Sequence, residues 1–170
     1  DDTGVLTYRQ LRDDSRTLAK WLLALQDERG LDELRIGVMA RNGRGIILPL
    51  AAKGYAGADI FLLNIGSSPE QLAGIFAEND INVLFIDDEF ADRLPDTAGI
   101  TVVRAHEDGG HGLALAEVVR RDVDRQLPRW PKHGNLVLMS SGTTGIPKGI
   151  VRPEPRLPFV VAGYLQAIPW

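Results

Sequence analysis

Five short apolar runs recur along the chain, at 35–40, 60–64, 83–86, 101–104 and 136–139, and amphipathic or capped stretches separate most of them. Runs of four to six apolar residues are too short for buried helices and suit strands buried on both faces. Strands that alternate with helices must return to the same sheet edge. They therefore form parallel β-α-β units with right-handed crossovers. The pattern predicts a three-layer α/β domain, a mainly parallel sheet with helices on both faces.

The helices announce their own ends. Thr7-Tyr8-Arg9-Gln10 reads as a capping box, in which a hydroxyl and a Gln three residues on satisfy each other's backbone N–H groups. Behind it Tyr8, Leu11, Leu18, Leu22 and Leu25 fall on one helical face, and Gly30 supplies a stop. Asn42-Gly43 turns the chain into a second helix over 44–56, with Gly57 as terminator. Ser68-Pro69-Glu70-Gln71 is a second capping box with proline at the first helical position, and it opens a helix that carries Leu72, Ile75 and Phe76 inward. Asp87-Asp88-Glu89 starts a short acidic-capped turn or helix rather than a metal site. A further helix is expected over 113–121, and 122–134, with Pro128, Pro131 and Gly134, reads as a connector.

With 170 residues, 44% apolar and 25% charged, the chain fits a single α/β domain over 1–170 with a real core. A net charge of −4 gives no support to nucleic-acid binding. The charge is uneven: residues 131–170 hold Lys132, Lys148, Arg152 and Arg156 against the single acid Glu154, while the remainder is acidic. A basic end suits a polyphosphate ligand, and equally suits an ordinary uneven surface. There is no cysteine, which excludes disulfides and thiolate chemistry and fits a cytoplasmic setting. The apolar stretch from Ile46 is broken by Lys53, far short of a membrane span, so contact with a membrane would be peripheral. His106, His111 and His133 are scattered in polar contexts without metal-ligand spacing. Asp1 is not an initiator methionine, and Trp170 follows an apolar pattern with no polar tail. Both ends read as cuts.

The densest chemistry follows the fifth strand, in Ser140-Ser141-Gly142-Thr143-Thr144-Gly145-Ile146-Pro147-Lys148-Gly149. Glycines let successive backbone N–H groups point at one anion, hydroxyls add donors or reach a phosphate-bound Mg²⁺, and Lys148 brings a mobile positive charge. By composition alone the stretch is also an ordinary flexible loop. The GxxxxGK[ST] phosphate loop fails on order, because Lys148 precedes Gly149 and no Ser or Thr follows.

The same ten residues, behind an apolar strand, match the SSGTTGxPKG signature throughout. The chain thus resembles the superfamily of adenylate-forming enzymes: acyl-CoA synthetases, firefly-type luciferases and peptide-synthetase adenylation domains. Leu6-Thr7-Tyr8-Arg9-Gln10-Leu11 is similar to the family's early LTYxeL segment, and Gly57-Ala58, Leu63-Asn64 and Pro69-Glu70-Gln71-Leu72 are similar to its GA…PLN…peqL stretch. Leu62 stands where that stretch has proline, and Pro153-Glu154 where the family often has a Ser-His pair. The region 156–169 looks most like actinobacterial fatty-acid synthetases.

The resemblance implies the N-terminal part of the family's large domain, from a protein about three times as long, with 140–149 as its phosphate-binding loop. It implies an acid–thiol ligase that uses ATP, Mg²⁺ and coenzyme A to activate a carboxylic, by preference fatty, acid as its adenylate. Ser140, Ser141, Gly142, Thr143, Thr144 and Gly145 would hold the phosphates, with Thr143 and Lys148 as catalytic groups, Lys148 neutralising the departing pyrophosphate. The adenine, ribose and C-terminal lysine motifs would lie beyond Trp170, so this chain alone is expected to be inactive and to need the remainder of its own polypeptide. Two other readings stand beside it: a non-catalytic nucleotide- or phosphate-binding module, and a folded piece whose exposed apolar faces drive self-association.

Overall fold

The computed structural model describes residues 4–105, 112–140 and 147–152, the side chain of residue 140 excepted. In chain order the elements are α1 (Tyr8–Arg29), β1 (Arg35–Met39), α2 (Arg44–Ala56), β2 (Asp59–Leu62), α3 (Pro69–Glu78), β3 (Val83–Ile86), a 3₁₀ turn (Asp88–Arg93), β4 (Thr101–Arg104), β5 (Leu113–Ala114), α4 (Leu115–Val118), β6 (Leu136–Ser140) and β7 (Lys148–Arg152).

Both predicted capping boxes form. The Thr7 hydroxyl accepts from the Gln10 N–H while the Gln10 side chain accepts from the Thr7 N–H, and Ser68 and Gln71 repeat the arrangement. Gly30 and Gly57 close α1 and α2 in the left-handed conformation that glycine adopts without a Cβ penalty.

The strands form one sheet in the order β5-β4-β3-β1-β2-β6-β7. All neighbours are parallel except β6 and β7, which run antiparallel. Alternation along each strand splits the core in two. Ile36, Val38, Ile60, Val83, Phe85 and Val103 pack with α1, α2 and α4. Met39, Phe61, Leu63, Leu84, Ile86 and Val137 pack with α3 and the 3₁₀ turn. The three-layer arrangement is therefore as the alternation of runs requires.

Several local expectations are corrected. The stretch 113–121 is not one helix: Leu113 and Ala114 pair with Val103 and Arg104, and only Leu115–Val118 is helical. The open edge of β4 satisfies backbone groups that a longer helix would have had to satisfy within itself. Tyr8 shares a face with Leu18 and Leu22 by periodicity, yet it is 92% exposed, because the helix begins beyond the core. β2 stops at Leu62, where the chain turns on the Asn64 carbonyl and side chain, which accept from the N–H groups of Ser67 and Gly66. Beyond the sequence reading, β7 adds an antiparallel edge strand.

Candidate functional site

The carboxyl ends of the parallel strands define the edge where α/β sheets bind ligands. β6 reaches that edge because its amino end is fixed in register beside β2, with Ile60 opposite Leu136, Phe61 opposite Val137 and Leu62 opposite Leu138. The fixing is local and dense. Lys53, only 6% exposed within α2, donates from Nζ to the Gly134 carbonyl at 2.9 Å. The Asp59 carboxylate accepts from the Asn135 N–H at 2.6 Å and from its amide at 3.1 Å, and the Ile60 N–H donates back to the Asn135 carbonyl. A Cβ on Gly134 would stand 1.8 Å from the Ala58 carbonyl oxygen, so only glycine allows this approach of two backbones.

At its other end β6 enters a hairpin. Ser140 and Lys148 are paired residues across the neck, followed by Met139 with Gly149 and Leu138 with Ile150. Ser140 and Lys148, which flank 141–147 in sequence, thus stand side by side at one point of the carboxyl edge. Close packing of the neck depends on Gly149, whose Cβ would meet Val137 Cγ1 at 2.7 Å. Of the sequence-predicted site residues, Ser140 ends β6 and Lys148, exposed, opens β7. Their backbones are brought together. Ser141, Gly142, Thr143, Thr144 and Gly145 lie outside the described residues, as do His106 and His111, while His133 is exposed in the connector.

The β1–β3 crevice on the same edge is the topological switch point, because β1 connects toward β2 and β3 toward β4 in the opposite direction. Its charges are satisfied internally. Asp87, 8% exposed, accepts the Arg41 N–H at 2.6 Å, and its other oxygen is 3.5 Å from where a Gly45 Cβ would lie, beside the first turn of α2. A carboxylate there complements the helix N-terminus, which has no side-chain cap from Gly43. Arg41 also grips Glu89 with two hydrogen bonds, at 2.5 and 2.8 Å, and Arg104 pairs with Asp88 at 3.0 Å. The Arg41 hydrogen bond holds the Glu89 carboxyl below its ordinary range, and the same bond raises the Arg41 guanidinium. Asp87-Asp88-Glu89 is thus a helix start that neutralises arginines.

Sequence reasoning missed the anchor at the amino end of β6. Lys53 was legible as a charge inside an apolar helix, and that alone signals a buried partner. Gly134 and Asn135 carried no comparable signal, because nothing local says which backbone they approach.

The sequence profile of the AMP-binding enzyme family matches residues 1–162. A medium/long-chain-fatty-acid–CoA/3-oxocholest-4-en-26-oate–CoA ligase of Mycobacterium tuberculosis is 27% identical over 158 residues, which are 86% of this chain and 28% of that protein. A nonribosomal peptide synthetase of Aspergillus rugulosus is 25% identical over 150 residues, 87% of this chain and 2% of its own length. Among solved structures, an anthranilate CoA ligase in complex with anthranoyl-AMP superposes with a TM-score of 0.68 at 20% identity, covering 88% of this chain and 30% of that one. The chain spans under a third of the length of each of these proteins.

Proposed function

Since the chain belongs to the AMP-binding enzyme family, we propose that it is the N-terminal portion of an ATP-dependent acid–thiol ligase that activates a fatty acid as acyl-adenylate and transfers the acyl group to coenzyme A. The observation that carries this reading is the complete SSGTTGxPKG match, set at the carboxyl edge of a parallel sheet with Ser140 and Lys148 paired at its neck. The likeness to a fatty-acid–CoA ligase supports the acyl branch.

A carboxylate is a poor acylating agent, whereas its mixed anhydride with AMP has a good leaving group. The first half-reaction, carboxylate attack on the α-phosphate with loss of pyrophosphate, is mainly positioning and charge stabilisation. In this reading Ser140, Ser141, Thr143, Thr144 and the backbone N–H groups of Gly142 and Gly145 hold the β- and γ-phosphates. Lys148 neutralises the leaving pyrophosphate. Mg²⁺ bound with the nucleotide would shield the phosphate charge, and the thiol of coenzyme A would displace AMP in the second half-reaction. The 170-residue chain supplies the phosphate half of the site and is inactive alone. Its exposed Leu138, Ile150 and Val151 support contact with the rest of the polypeptide, or with other copies when that is missing.

The likeness to a peptide synthetase favours a second reading, in which the activated acid is an amino acid. Acid-dependent ATP–pyrophosphate exchange by the full-length protein, across fatty, aromatic and amino acids, separates the two. Exchange with fatty acids alone supports the proposal, and exchange with amino acids alone replaces it by the second reading.

A further inference from the structure

A groove of about 410 Å³ lies on the outer surface of the α1–α2 layer and uses no residue of 140–149. Its lining combines Tyr8, Leu11, Arg12 and Ser15 of α1 with Gly54 and Tyr55 of α2. Three features set it apart from a plain helix–helix furrow. The Ser15 hydroxyl, on a residue 1% exposed, has no hydrogen-bond partner among the described residues. Such a buried hydroxyl is a cost without a return unless something else meets it. Gly54 sits in the helix interior, where glycine is unfavourable, yet a Cβ there would meet nothing within 4 Å. Neither packing nor backbone conformation calls for glycine at that place, and its effect is to keep the groove wide. Third, bases stand at the groove: Arg12 lines it, and the Arg16 guanidinium, four residues on, lies 5.7 Å from the centre of the ring of Tyr55, another lining residue.

We infer that this groove binds an amphiphilic carboxylate, its apolar tail against Leu11, Gly54 and Tyr55 and its head group between the Ser15 hydroxyl and the Arg12 and Arg16 guanidiniums. The head group is fixed by charge complementarity, since guanidiniums and a hydroxyl donor match a carboxylate's acceptors. Arg12 is engaged with Asp13 at 2.7 Å, but both side chains are more than half exposed, so a ligand carboxylate competes with a weak surface pair. Tyr8, which is 92% exposed, and Arg12 can change rotamer to open the way to Ser15. The site is independent of adenylation and stands or falls apart from it.

The test is calorimetric titration of the 170-residue chain with decanoate below its micelle concentration, in wild type and two variants. Wild type is expected to bind saturably. Gly54→Leu, which fills the groove without a backbone conflict, should abolish binding while the far-UV spectrum stays native. Ser15→Ala should weaken binding about fivefold or more, while raising the melting temperature because an unmatched hydroxyl is removed. That opposite movement is one a purely structural Ser15 would not give. Absence of saturable decanoate binding overturns the proposal, as does binding that survives Gly54→Leu. Binding to anionic phospholipid vesicles without binding of free decanoate also overturns it, and makes the face a membrane contact instead.

Discussion

Two places on the carboxyl edge of the sheet could receive an anion, and they are built in opposite ways. The β1–β3 crevice is the switch point at which doubly wound sheets usually bind phosphate. Here Asp87 lies beside the first turn of α2, and Arg41, Glu89, Asp88 and Arg104 neutralise one another around it. The β6–β7 hairpin is built differently: β7 is exposed along its described length, β6 beside it is half-buried, and Ser140 and Lys148 are paired residues at the neck. The contrast teaches that topology offers a ligand edge, while a buried carboxylate can close one part of that edge to anions. A crevice holding its own carboxylate repels a second anion.

The comparison can be broken most severely from behind. Gly134→Val forces two backbones apart at the amino end of β6, and should cost more than about 3 kcal/mol in urea unfolding of the chain. A cost below about 1 kcal/mol would mean that the close approach to Ala58 does not fix the hairpin. In the full-length enzyme, Lys148→Ala should slow adenylate formation about 100-fold, measured by ATP–pyrophosphate exchange, while the melting temperature stays unchanged. An unchanged rate would remove Lys148 from the site. Lys53→Met leaves the Gly134 carbonyl without its buried donor and should cost about 1–3 kcal/mol.

The smallest effects sharpen the crevice side through pH. Because Glu89 titrates below its ordinary range when folded, Glu89→Gln should reduce stability at neutral pH, and the difference from wild type should shrink as pH falls through the folded-state value. Asp14 has the opposite sign. Burial pushes its carboxyl up, opposed by Arg44 and reinforced by Asp13, so its ionised form carries a penalty that disappears as pH falls below the folded-state value. Asp14→Asn should therefore raise the melting temperature slightly at pH 7 and not under acid. Melting curves of both variants from pH 3 to 7 check the signs.

Much of this arrangement was legible in the residues. Capping boxes at Thr7 and Ser68 act within one turn, so their outcome depends on four neighbours and the sequence states it fully. The buried strand Val83–Ile86 announced itself because both of its faces must be apolar. Leu113 and Ala114 were misread because a short apolar run carries no period, and its state was settled by a distant strand edge. β7 went unseen for the related reason that its Ile150 and Val151 stand exposed between polar neighbours and pair only through the hairpin. The phosphate-loop reading of 140–149 rests on residue order alone, whereas the crevice's self-neutralisation could not be read from the sequence, since Arg41 and Glu89 are far apart along the chain and meet only across β1 and β3.

The most direct test of this contrast is amide chemical-shift mapping of the 170-residue chain titrated with magnesium pyrophosphate. Shifts centred on the amides of 140–149, weak but saturable and reduced by Lys148→Ala, are the predicted result. Shifts centred instead on Arg41, Gly43 and Asp87 would contradict it, and would put the anion in the crevice.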